Sequence, residues 1–172
     1  MDADELNRRR LGETAGEILL TDSDGCRLVS AHMLAQARRD CCLLTRDLDR
    51  TLYDQSPFLD ALKELALRGR TSQIRILLQD HEPAVQRGHR LLELARRLTS
   101  KIEIRRPGVD WLHFPESFLL IDDSGYVHRE LSTRYEASAD YHAPLTVRHL
   151  RKQFDAIWET SEENPEMRRL HV

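Results

Sequence analysis

The sequence predicts an α/β fold: a mixed, mostly parallel sheet flanked by helices on both faces. Three observations carry this. Short apolar runs of strand length recur along the chain as EILLT, CCLLT, QIRILL and SFLLI. Between them lie longer stretches whose apolar residues fall at helical spacing, and strand–helix alternation of that kind builds parallel sheets with helices on both faces. After SFLLI, the turn residues Asp123-Ser124-Gly125 lead straight into a second strand-like stretch, a hairpin signal that makes the sheet mixed.

The elements follow in order. Residues 1–14 read as a polar, flexible N-terminal tail, and 15–161 as one domain. Glu17–Thr21 is a short strand and Asp22–Cys26 (DSDGC) a turn. Leu28, Ala31, Leu34 and Ala35 give a helix from Leu28 to Ala37. Cys41–Thr45 is wholly apolar until its last residue, the pattern of a strand covered on both faces. Ser56-Pro57 is an N-cap followed by proline at the first helical position, and Arg68-Gly69 ends that helix. Gln73–Leu78 is a strand, Pro83 opens one helix running to Leu98, and Lys101–Arg105 (KIEIR) alternates as a strand with one wet face. Pro107-Gly108 breaks it. Ser117–Ile121 and Tyr126–Leu131 form the hairpin, and Thr133–Ala137 is a further strand candidate. Leu150, Phe154, Ile157 and Trp158 define a last helix from Leu145 to Thr160, with Trp158 in the core. Residues 162–172 read as a polar C-terminal tail.

A chain of 172 residues can bury a real core in a single domain. Hydrophobic residues at 40% and charged residues at 32% are those of a globular protein, and a net charge of −3 carries no global nucleic-acid signature. Of 26 basic residues only Lys63, Lys101 and Lys152 are lysine, so 23 are arginine, the residue that grips phosphate in two places at once. The N-terminus MDADELNRRR lacks the apolar stretch of a secretory signal, and no apolar run reaches the ~18 residues of a membrane span. Three cysteines, Cys41 and Cys42 adjacent within an apolar run, fit a reduced core and a cytoplasmic protein. No second Cys/His pair stands at ligand spacing, so neither a metal nor another cofactor is expected.

From about Leu28 to Ser161 the order of these pieces resembles one repeat of the phospholipase D-like superfamily. LAQARRDCCLLTRDLD, PFLDALKELALRGRTSQIRILLQD, KIEIRR, FLLIDD and FDAIWETS resemble successive segments of that fold, with FLLIDD at the strand that carries catalysis. The family's motif is His-x-Lys-x-x-x-x-Asp. With Asp122 as its aspartate, Pro115 stands at the histidine and Ser117 at the lysine. In that chemistry one histidine attacks phosphorus, a second protonates the leaving oxygen and the lysine offsets phosphate charge. Proline has no nucleophile and serine no charge. The Gly-Ser-x-Asn pattern that follows in the family is also missing, because the hairpin partner reads YVHREL. The resemblance implies a scaffold without its catalytic set. It also implies a homodimer, since active members bring two motif copies together.

Other residues compete for a role. His113 shares strand parity with Pro115, and His128 lies on the hairpin partner; either is a candidate base for a divergent phosphodiesterase, but the favoured reading is a rim histidine for the first and a solvent-facing strand residue for the second. Asp122 can cap the turn before Gly125. Arg105, Arg106, Arg129 and Arg134 flank the presumed cleft strands, and Arg105, Arg129 and Arg134 are expected on neighbouring strands where they would converge on an anion with Ser117 and Tyr135 nearby. The bland alternative is a charged, wet sheet edge. Arg129 is the one charge among positions 127, 129 and 131, which share a face. Tyr135, Tyr141 and His142 could stack on a base or simply pack a loop. Arg8-Arg9-Arg10 could form an electrostatic arm. The expected activity is therefore that of an inactive phospholipase D-like module binding a phosphate-bearing ligand, a nucleic acid or a protein. The alternatives are a divergent phosphodiesterase and a pure protein-contact module.

Overall fold

The structure is a computed structural model, and residues 1–163 are described. Eight strands form one sheet in the order β1-β7-β6-β5-β2-β3-β4-β8. They are β1 (Ile18–Leu20), β2 (Asp40–Thr45), β3 (Gln73–Leu78), β4 (Ile102–Arg106), β5 (Ser117–Ile121), β6 (Gly125–Arg129), β7 (Ala137–Asp140) and β8 (Glu162–Glu163). The helices are α1 (Ala3–Arg8), α2 (Ser23–Leu34), α3 (Arg50–Tyr53), α4 (Ser56–Arg68), α5 (Glu82–Arg87), α6 (Arg90–Arg97) and α7 (Pro144–Glu159).

The α/β class and the mixed sheet agree with the sequence, but "mostly parallel" needs correction. Only β2–β3 and β3–β4 pair parallel; β1–β7, β7–β6, β6–β5, β5–β2 and β4–β8 are antiparallel. The reason is connection length. Parallel neighbours need a long crossover, and the helical links α3–α4 and α5–α6 set β2 beside β3 and β3 beside β4 in parallel. The short links from β5 to β6 and from β6 to β7 can only reverse direction. β1 is followed by a helix yet lands at the far edge, four strands from β2.

Side-chain alternation splits the core in two. Cys41, Leu43, Ile74, Ile76, Leu119, Ile121 and Val127 face α2, α4 and α6. Cys42, Leu44, Leu77, Phe118, Leu120 and Tyr126 face α7, through Val147, Leu150, Phe154 and Ile157. Each fully buried leucine contributes about 1.5–3 kcal/mol, so the CCLLT and SFLLI runs are fixed at the centre by burial on both faces. Trp158 packs at the margin of the second core, stacked on Phe154 with ring centroids 5.7 Å apart.

Several local expectations shift. Asp22–Cys26 is the start of α2 rather than a free turn: the Asp22 carboxylate accepts from Gly25 N at 2.7 Å, an N-cap. The long helix expected from Pro83 to Leu98 is two, α5 and α6, broken at Gly88, whose φ of +71° a β-carbon would strain. Strand β7 begins where the Thr133–Ala137 expectation ends. The N-terminal residues are not a loose tail. Leu6 joins the main core, Leu11 N donates to Gln36 Oε1 at 2.9 Å, and Gly16 N donates to the Asp140 carboxylate at 3.2 Å. A β-carbon on Gly125 would lie 2.6 Å from both Leu11 and Met33, so the glycine admits the crossing N-terminal segment. Arg9 is held by Glu5 and the Gly16 carbonyl, and Arg10 by the Asn7 carbonyl, so the three-arginine stretch is folded back rather than an extended arm. Of the expected C-terminal tail, Glu162–Glu163 pair with β4, and the remainder lies outside the described residues.

Candidate functional site

The end of the sheet at which β2 and β3 finish also gathers the start of β5 and the finish of β6. Ligands of α/β sheets bind beyond the carboxyl ends of the parallel strands, and here that end holds Ser117, aligned with the lysine of the phospholipase D motif, with Pro115 two residues before it. Ser117 opens β5 and Arg129 closes β6; they are direct cross-strand partners. Both face the α2–α4 side, with Val127 on the same face.

Neither side chain is available to solvent. Ser117 is 1% exposed, and its Oγ donates to the Leu44 carbonyl at 2.8 Å. Arg129 is 5% exposed. Its Nη1 donates to the carbonyls of Ser132 and Arg134 at 3.3 and 3.1 Å, and its Nη2 donates to Ser117 Oγ at 3.4 Å. Its guanidinium lies 5.8 Å from the centre of the Tyr135 ring. Tyr135 Oη donates to Asp49 Oδ2 at 2.7 Å, and Asp49 also caps α3 by accepting from Thr51 N at 2.9 Å. The buried cation acts on its whole surroundings. Burial pushes the Cys26 thiol up to about 11 against the pull of Arg129. Burial also raises the phenol of Tyr53, again opposed by Arg129. The Asp47 carboxyl is raised by burial and by Asp49, opposed by Arg46 and Arg129.

The site of family catalysis is therefore filled. A positive charge is present near the place of the missing lysine, but it comes from the neighbouring strand and donates to two protein carbonyls and to Ser117 Oγ. Ser117 has no base beside it among its hydrogen-bond partners and no path to solvent.

The remaining sequence candidates scatter. Asp122 lies at the opposite end of the sheet, with φ +52°, and its carboxylate accepts from the backbone N–H groups of Arg38, Arg39 and Asp40 at 3.0, 2.8 and 3.1 Å. It clamps the α2–β2 connection instead of capping only its own turn. His113 is exposed in the loop before β5. His128 points to the α7 side, away from Ser117 and Arg129, and its Nε2 hydrogen-bonds Glu116 Oε1 at 2.8 Å.

The expected convergence of Arg105 with Arg129 is corrected by the strand order. β4 lies four strands from β6, roughly 19 Å at ~4.8 Å per strand. Arg105 instead sits 4.4 Å over the Trp158 ring and pairs with Glu103 at 2.7 Å. Arg134 is exposed and lends only its carbonyl to Arg129, and Arg106 is exposed at the end of β4. Tyr141 is no stacking platform: it is fully buried, its Oη 2.7 Å from His32 Nδ1. The three cysteines are free and buried, and burial raises the Cys41 and Cys42 thiols as it does that of Cys26. Among the described residues no three His, Cys, Asp or Glu side chains gather as a metal-binding group. No helix among them is long and apolar enough to cross a membrane.

Sequence reasoning missed a second feature of the helix side. Arg27 of α2, Arg50 and Thr51 of α3, Asp54, Gln55 and Arg90 of α6 line an open cleft of about 460 Å³. No local signal marks it, because its three arginines stand far apart in the chain and α3 is too short for periodicity to reveal.

Comparison with solved structures places this architecture. A phospholipase D family member, Nuc from Salmonella typhimurium, is similar with a TM-score of 0.61 at 12% identity, over 87% of this chain and 98% of that one. NucT from Helicobacter pylori is similar with a TM-score of 0.61 at 10% identity, over 87% and 99%. TrmBL2, an archaeal chromatin protein with a novel mode of DNA binding, is similar with a TM-score of 0.61 at 16% identity, over 86% of this chain. The match spans about half, 54%, of the length of TrmBL2. These likenesses establish a phospholipase D-like fold. No curated protein sequence matches the chain. Residues 22–170 match the family model described as Domain of unknown function (DUF7931), and the chain belongs to that family.

Proposed function

We propose that this protein is a catalytically inactive phospholipase D-like domain that works by binding. One observation carries the reading: the place of the catalytic residues is occupied by the buried Ser117–Arg129 pair, whose polar atoms are engaged inside the protein. Phosphoryl transfer needs a nucleophile and charge that can meet the substrate, and this pair offers neither. TrmBL2 supports the reading from outside, because a protein of similar fold is described by its DNA binding. A two-fold homodimer in the cytoplasm belongs to the same proposal, on the ground that the resembling fold pairs two copies of its motif.

The test is turnover of a chromogenic phosphodiester and of single-stranded DNA by the purified chain. None is expected. A second reading, a divergent phosphodiesterase, draws on the His128–Glu116 pair, since a carboxylate-oriented imidazole is the arrangement of a general base. Turnover abolished by His128→Ala or His113→Ala establishes that reading and removes the first.

A further inference from the structure

We infer that the cleft lined by Arg27, Arg50 and Arg90 is a binding site for a small, hydrophilic phosphorylated molecule. This deepens the reading of a binding module by giving it a site, separate from the filled one.

Four features carry it. The first is charge. Three guanidiniums line the cleft against one lining carboxylate, Asp54. That carboxylate is buried and shared: Arg90 Nε is 2.8 Å from its Oδ1 and Arg50 Nη2 is 3.3 Å from its Oδ2. Burial alone raises the Asp54 carboxyl, but the hydrogen bond from Arg90 and the charges of Arg90 and Arg50 bring it below its ordinary value. It therefore stays charged, holds two arginines in place and leaves an excess of positive charge. Among the described residues Arg27 pairs only with the exposed Asp24, at 3.4 Å, a weak tie.

The second is access. The side chains of Arg27, Arg50 and Arg90 are 31%, 50% and 53% exposed, so the N–H groups left over from their protein partners are reachable, whereas Arg129 is shut off from solvent. The third is preorganisation. Arg90 is pinned by Asp54 Oδ1, the Asp54 carbonyl and Ser56 Oγ at 2.8, 2.9 and 3.2 Å, and Gln55 Nε2 donates to the Arg50 carbonyl at 3.1 Å. Arginines held in a fixed fork are what phosphate recognition uses. The fourth is the character of the walls. A volume of about 460 Å³ suits a metabolite-sized ligand. The six lining residues are polar, and none is aromatic. Thr51 and Gln55 can meet hydroxyl groups, while nothing offers a base a face to stack on. A phosphorylated sugar or polyol fits these walls better than a nucleic-acid strand.

The cleft also shares an element with the filled site. On the single turn of α3, Leu52 and Tyr53 go inward, and Arg50 and Thr51 go outward into the cleft.

Calorimetric titration of the full chain at low ionic strength tests the site, with inorganic phosphate, glucose 6-phosphate, glucose and an oligodeoxynucleotide without a terminal phosphate as probes. Phosphate and glucose 6-phosphate are expected to bind, glucose not, and the oligonucleotide more weakly than the sugar phosphate. Arg27→Gln with Arg50→Gln leaves the Arg90–Asp54 anchor intact and is expected to weaken both phosphates by about tenfold or more. Arg106→Gln with Arg134→Gln, at exposed arginines elsewhere, is expected to change neither. The site is overturned if wild type binds neither phosphate, if the two double variants lose affinity alike, or if the oligonucleotide binds more tightly than glucose 6-phosphate. A chain that hydrolyses phosphodiesters yet binds phosphate here overturns the inactive scaffold and leaves this site standing; an inert chain that ignores phosphate does the reverse.

Discussion

Ser117 and Arg129 face each other directly across the β5–β6 hairpin, with Arg129 Nη2 3.4 Å from Ser117 Oγ in a region closed to solvent. The hydroxyl is an acceptor for the guanidinium and a donor to the Leu44 carbonyl, so it links the cation to β2. The serine at the family's lysine position and the arginine opposite it act as one arrangement, and this has measurable consequences.

Restoring the family's lysine alone is expected to harm the protein. Ser117→Lys sets a second cation against Arg129 where no water screens them, and should cost about 3 kcal/mol or more. Combining it with Arg129→Ser should recover part of that loss. Urea unfolding of the two single variants and the double variant measures the coupling; additive costs would show that the two positions are independent.

Arg129→Met should destabilise by about 1–3 kcal/mol, because it leaves the partly buried Ser132 and Arg134 carbonyls without their donor. The segment between β6 and β7 should then exchange its amide hydrogens faster, which mass-resolved exchange can locate. Unchanged exchange there would mean that the arginine does not hold the segment.

Asp122→Ala should cost about 2–3 kcal/mol through three unsatisfied backbone N–H groups. Asp122→Asn should cost clearly less, since asparagine keeps an acceptor and tolerates the positive φ. Equal losses in the two variants, read by thermal unfolding, would rule out the clamp.

His89 should make the fold acid-sensitive. Its Nε2 donates to the Leu48 carbonyl at 3.0 Å while Nδ1 accepts from Leu91 N at 3.1 Å, so the neutral ring fits and a second proton does not. Burial depresses its pKa in the folded state. The unfolded chain then takes up the proton first, near its ordinary value of about 6.5. Stability is full above that pH and falls as the pH drops toward the lower folded value. The melting temperature should decline from pH 7 to pH 5, and less steeply in His89→Gln.

The proposed pairing of two chains is decided by light scattering at micromolar concentration. A mass near twice 20.1 kDa is expected; a mass of 20.1 kDa that does not change on concentration excludes the dimer.

The sequence by itself determined the α/β class and the central strands, and it set Pro115 and Ser117 where the motif it resembles has histidine and lysine. CCLLT, QIRILL and SFLLI lie on or within a residue of β2, β3 and β5 because strands covered on both faces are largely apolar along their length, a pattern readable locally. Pro115 and Ser117 were equally legible, since a missing nucleophile is a matter of residue identity. Tertiary structure alone decided strand order, and with it which arginines could meet. Arg105 and Arg129 look like neighbours in a list of strands, yet the insertion of β2 and β3 beside β5 drives them apart. Burial of Arg129 also depended on the fold, because its partners are carbonyls of a loop that carries no pattern. The arginine cleft was invisible for the same reason: Arg27, Arg50 and Arg90 come together only when α2, α3 and α6 pack on one face, and charge on a solvated helix surface leaves no periodic trace of what it will face.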